Sequence, residues 1–169
     1  MIDADYVRMM ARYNAWQNAQ LTALLDGVDA DVLTQDRGAF FGSIFATLNH
    51  ILWGDQIWLN RFDDRVDPPK VPAAEHKQLT PTFAVWTAER FQTDGKIKLW
   101  ADKLDSVDLT GDLSWYSEMT QQPQRTPLAK LVVHFFNHQT HHRGQVHAMM
   151  TAEGLKAPVS DLGFMPEDA

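Results

Sequence analysis

Apolar residues recur at three- and four-residue intervals in four stretches of the chain, separated by charged, polar or proline-bearing segments. From about Asp5 to Gly27, the positions Tyr6, Met9, Met10, Tyr13, Trp16, Leu21, Leu24 and Leu25 carry the spacing of an amphipathic helix, with Gly27 as its stop. A second helix is predicted from Ser43, as N-cap, to about Phe62. One of its stripes holds Ile44, Leu48, Ile51, Leu52 and Leu59; another holds Ala46, His50, Trp53 and Ile57. A helix apolar on two sides touches more than one neighbour, so this one is expected to sit centrally or to line a subunit contact.

The segment Asp63 to Leu79 carries Pro68, Pro69 and Pro72 among charges and reads as a surface crossing. Thr80 followed by Pro81 gives a cap and first helical position for a third helix through Phe83, Trp86, Ile97, Trp100 and Leu104. Gly95 in its interior costs about 1 kcal/mol relative to alanine. Between Val107 and Arg125 the helical spacing fades. There Leu109, Leu113, Trp115 and Tyr116, followed by a Gln-Gln-Pro-Gln run, suggest a short hairpin or an ordered loop. Thr126 and Pro127 repeat the cap signal and open a fourth helix reaching Glu153, with Gly154 ending it. The tail from Leu155 is expected to pack along the surface. The pattern predicts an all-α fold: a four-helix up-and-down bundle with a short loop or hairpin before the last long helix, in one domain over residues 1–169.

Composition narrows the function classes. With 169 residues, 44% of them hydrophobic, the chain suits one domain with a full core. A net charge of -7 without a Lys/Arg cluster argues against a nucleic-acid partner. Cysteine is absent, which excludes disulfides, thiolate ligands and a cysteine nucleophile, so any thiol must come from another molecule. The N-terminus lacks the basic start and apolar run of a signal peptide, and no stretch approaches bilayer-spanning length. A cytoplasmic protein without a membrane partner is the expectation.

The candidate chemistry lies on the fourth helix, where five histidines fall between His134 and His147. His138 and His142 are one turn apart on a stripe otherwise made of Leu128, Leu131, Phe135, Val146 and Met149, so they face inward together. Two imidazoles so placed can hold one divalent metal, and burial favours the neutral ring that a metal needs. The structural alternative is a pair of core histidines hydrogen-bonded to neighbours. Catalytic sites of this type add a third protein ligand and keep an open position. His50 is the best candidate, about 10 Å from the start of its helix, against about 16 and 22 Å for His138 and His142. Those depths compare if the two helices run in the same sense, as alternation would make them. His76, in the proline-rich crossing, reads as solvated, and His76→Ala is expected to leave occupancy unchanged. His134 is a fourth ligand or a donor behind the ligands; His141 stays a further candidate, and His147 faces elsewhere.

Two familiar metal patterns are excluded. The zinc-protease helix places a glutamate base after the first histidine, where this chain has Gln139. A di-iron bundle needs Glu-x-x-His, and none of Glu75, Glu89, Glu118, Glu153 or Glu167 has a histidine three residues on. Gln145 is placed to bond a ligand or substrate near the metal. Arg143 pairs a carboxylate such as Asp55, binds an anionic substrate, or forms an ordinary salt bridge; Gly144 is expected to allow close helix approach. Asp55 reads as structural rather than as a ligand.

The segments Thr47-Leu48-Asn49-His50-Ile51-Leu52-Trp53-Gly54-Asp55 and His138-Gln139-Thr140-His141-His142-Arg143-Gly144-Gln145-Val146-His147 resemble the DinB family over nearly the whole chain. The resemblance implies a four-helix bundle, commonly a homodimer, with a divalent metal held by three histidines that match His50, His138 and His142. It also implies kinship with metal-dependent transferases and isomerases that use a low-molecular-weight thiol. The expected cofactors are therefore one divalent transition metal, zinc, nickel or iron, and a small thiol. The expected function is metal-dependent thiol transfer or isomerisation, or hydrolysis, of a small-molecule substrate, with no general base identified. The alternative is a non-catalytic metal-binding stress protein whose ion stabilises the bundle or dimer.

Overall fold

Asp3 caps the first helix, α1 (Ala4–Leu25), its carboxylate accepting from the Tyr6 amide at 2.9 Å, and Gly27 reverses the chain at a φ of 76°. The structure, a computed structural model, describes residues 2–118 and 120–169. A short helix α2 (Ala30–Thr34) follows, too brief to show a period in the sequence. Ser43 caps α3 (Ile44–Phe62) as expected, its hydroxyl accepting from the Ala46 amide at 3.1 Å. Next come a 3-10 helix (Ala73–Gln78), α4 (Phe83–Lys103), a second 3-10 helix (Ser106–Leu109), β1 (Asp112–Ser117), β2 (Gln122–Pro127), and α5 (Leu128–Ala152). Gly154, at a φ of 76°, follows the end of α5.

Two expected caps are corrected. Helix α4 starts two residues late, capped by Thr82 at 3.3 Å from the Val85 amide. Thr80 is buried instead, donating its amide and hydroxyl to Asn49 Oδ1 at 3.1 and 2.7 Å. Thr126 and Pro127 end β2, and α5 begins at Leu128 without a side-chain cap. The fold is accordingly mostly helical with a small antiparallel two-stranded sheet rather than all-α. Leu113 and Trp115 alternate onto its inner side, where Trp115 meets Trp58 of α3 at 5.2 Å between centroids.

The strict up-and-down order is also corrected. Asp55 meets Gln139 while the later Trp58 meets the earlier His134, so α3 and α5 run antiparallel. Trp86 donates to Leu48 O, and Arg90 pairs with Asp55, so α3 and α4 run parallel. Parallel neighbours need a long return connection, which residues 63–82 supply. Helix α3 is central, contacting α2, α4, α5 and the first 3-10 helix.

The core is split by polarity. One apolar cluster gathers Val7, Ala11, Trp58, Ile97, Trp100, Phe135 and Phe136; another gathers Leu21, Leu25, Ile44, Leu48, Ile51, Trp86, Val146 and Met149. Buried polar side chains at mid-helix, Asn14, Asn18, Asp55, Arg90, Asp94, Gln139 and Arg143, form a layer whose members bond one another across all four long helices. No helix among the described residues is long and apolar enough to cross a membrane.

Candidate metal centre

The i, i+4 spacing on α5 puts the rings of His138 and His142 4.5 Å apart between centroids. Helix α3 brings His50 between them: its ring lies 4.9 Å from His138 and 4.6 Å from His142. One ligand nitrogen from each of the three falls within 4.8 Å of the others. His50 does meet the α5 pair, although the depth argument assumed the wrong relative direction of the two helices. Because α3 and α5 are antiparallel, the start of α3 lies beside the end of α5, and His142 is about 15 Å from that end by the helical rise.

The donor set fits a divalent ion. His50 Nε2 and His138 Nε2 face each other at 2.9 Å, a few tenths of an ångström inside the ~3.3 Å that two nitrogens span on a tetrahedral ion. His142 Nδ1 lies 2.7 Å from Gln145 Oε1; an amide oxygen only accepts, so Nδ1 carries the proton and Nε2 keeps its lone pair. Burial, helped by the neighbouring imidazoles, pushes His50 down to about 2 and His138 to about 3, and burial also lowers His142. All three rings are thus neutral at physiological pH. Gly54 makes room for this arrangement, since a Cβ there would stand 2.8 Å from His138 Cε1.

His76 is a correction. It is half-buried rather than solvated, and its Nδ1 lies 3.0 Å from His50 Nδ1. The first 3-10 helix carries it there, and Phe41 packs against His50, His76 and His142 at 4.0, 5.3 and 5.1 Å. His134 stands one turn away, 5.8 Å from His138, packed on Trp58 and outside the cluster. His141 takes a 3.4 Å contact from Gln145 Nε2, and His147 lines a separate cavity.

Behind the histidines lies the polar layer, whose organisation the sequence reading missed. Asp55 accepts from Gln139 at 2.8 Å and from Arg90 at 2.7 Å, so its partner is not Arg143. Arg90 also meets Asp94 at 2.8 Å, and Asn14 and Asn18 donate to Asp94 Oδ1 at 3.1 and 3.0 Å. Arg143 is buried and bonds Asn14. The available signal was positional: on α4, Arg90 and Asp94 share a face with Trp86, Ile97 and Trp100.

Burial and the nearby Asp55 carboxylate push Asp94 up to about 6, above its ordinary 3.8. Protonation in the folded state then contributes stability that is full below pH 3.8 and lost as the pH rises through 6. Relative to Asp94→Asn, the wild-type protein is expected to lose about 1 kcal/mol between pH 5 and 7.5. Urea titrations of both proteins at the two pH values check this; a constant difference contradicts it.

This is a mostly helical protein with a three-histidine cluster set between two antiparallel helices. The DinB family model matches residues 1–169, and the chain belongs to that family. It is similar to Protein DinB of Bacillus subtilis (strain 168), at 22% identity over 164 residues, 95% of this chain and 94% of that one. The crystal structure of a DinB-like protein from Bacillus cereus ATCC 10987 shares the fold, with a TM-score of 0.62 and 18% identity, covering 87% of this chain and 90% of that one.

Proposed function

We propose that the protein binds one divalent transition metal through His50, His138 and His142 and serves as a metal-dependent enzyme acting on a small molecule with a low-molecular-weight thiol. The observation that carries this is the convergence of three neutral imidazoles, with no carboxylate in the cluster, within 4.8 Å. Such a donor set leaves the full double positive charge of the ion available. When bound, the ion supplies Lewis-acid chemistry that favours the deprotonated form of a thiol or water. His50 and His138 are half-buried rather than sealed, so a small molecule has access to them. The residues themselves do the holding: Gln145 orients His142, His76 orients His50, and Phe41 forms an apolar wall.

Elemental analysis of untagged protein is the first test, with about one zinc, nickel or iron ion per chain expected. Calorimetric titration with cysteine or glutathione is the second, with binding to metal-loaded protein and none after chelation. Absence of metal sinks the whole reading. Metal without thiol binding removes the thiol chemistry and favours the non-catalytic metal protein.

A further inference from the structure

The polar layer contains two buried arginines in different circumstances. Arg90 faces two carboxylates, Asp55 at 2.7 Å and Asp94 at 2.8 Å. Arg143, only 6% exposed, donates through Nη1 to the neutral Asn14 side chain, and no carboxylate among the described residues pairs with it. Asp55 and Asp94 act on it only through space, so the guanidinium is left with one neutral hydrogen bond in place of its lost hydration.

Arg143 lines a cavity of about 300 Å³ between α1, α5 and the segment around Pro158 and Ser160. That segment is tied to α1: Tyr13 Oη donates to Ser160 O at 2.5 Å, and Gln17 Nε2 to Val159 O at 2.7 Å. Gly144 stands on the same wall. A glycine inside a helix costs about 1 kcal/mol relative to alanine, and close helix approach was the expected reason for it. The structure removes that reason, since a Cβ at position 144 would have no heavy atom within 4 Å. Position 144 faces open space on the cavity wall, into which a larger side chain would extend beside the guanidinium.

We propose that this cavity binds a small organic carboxylate, at a site separate from the histidine cluster. The planar fork of a guanidinium matches both oxygens of one carboxylate. The Tyr13 ring, 5.6 Å from the guanidinium carbon, and Pro158 offer apolar surface to the rest of the molecule. The site opens on the α1 side of α5, whereas the preceding His142 faces α3, about 100° round the helix.

The test is calorimetric titration of the full-length protein with acetate and benzoate, and with acetamide and benzamide as uncharged shapes. At least one carboxylate is expected to bind saturably, one per chain, and at least about tenfold more tightly than its amide. Gly144→Leu fills the cavity with a helix-favouring side chain, so it folds and weakens that binding at least about tenfold. His138→Ala leaves it unchanged. Carboxylate held at a metal instead would show the reverse pattern, lost in His138→Ala and kept in Gly144→Leu. That pattern, or carboxylates binding no better than their amides, overturns the proposal.

Discussion

Alanine at His50 or at His138 is expected to weaken metal binding more than about 100-fold, whereas His76→Ala costs about 10- to 100-fold. The ranking follows from geometry. Removing a ring of the cluster takes away one of three nitrogens gathered within 4.8 Å, and the rings around it belong to other contacts: His134 packs on Trp58, 5.8 Å from His138, and His141 meets Gln145. His76 reaches the cluster only through His50 Nδ1, so its loss frees the ring to turn without removing a ligand. None of these imidazoles belongs to the polar layer that ties the helices together, so the metal-free variants should keep the wild-type circular dichroism spectrum. Competition with a chromophoric chelator measures all three affinities. Occupancy that survives both His50→Ala and His138→Ala would remove these residues from the site.

What the sequence disclosed depended on periodicity. The four long helices and the His138–His142 pair are legible because a 3.6-residue repeat sorts side chains onto faces without knowledge of the neighbours. His50 was legible as a polar residue on an otherwise apolar stripe. Its depth was misjudged because helix direction depends on how the crossing at residues 63–82 returns, and a proline-rich connection carries no period. His76 was illegible for the same reason: a 3-10 helix of six residues delivers it to His50. On α1, large apolar residues such as Met9 and Trp16 suggested the core face, yet the buried face runs Val7, Ala11, Asn14, Asn18, Leu21 and Leu25. Polarity misled there because Asn14 and Asn18 are satisfied by Asp94 across the interface, which no local pattern records.

Arg90→Leu is expected to lower stability by about 3–5 kcal/mol, the cost of breaking a buried ion pair by removing one partner. The substitution leaves Asp55, which is fully buried, without its cation and strips Asp94 of its charge partner. Arg65→Leu is the contrast, because the pair with Asp63 involves a side chain 71% exposed and should matter by less than about 1 kcal/mol. Combining Arg90→Leu with Asp55→Leu and Asp94→Leu removes the unpaired carboxylates but leaves the buried Asn14, Asn18 and Gln139 side chains without their acceptors, so it is expected to recover only part of the loss. The layer's specific role is alignment. Asp55 lies five residues after His50, and Gln139 directly follows His138, so their 2.8 Å bond fixes the register in which α3 presents His50 to α5. The triple variant should therefore regain part of its stability in urea titration without regaining wild-type metal affinity, because the Asp55–Gln139 bond that sets the register is gone. Full recovery of both would reduce the layer to a structural ion-pair network with no bearing on the histidines.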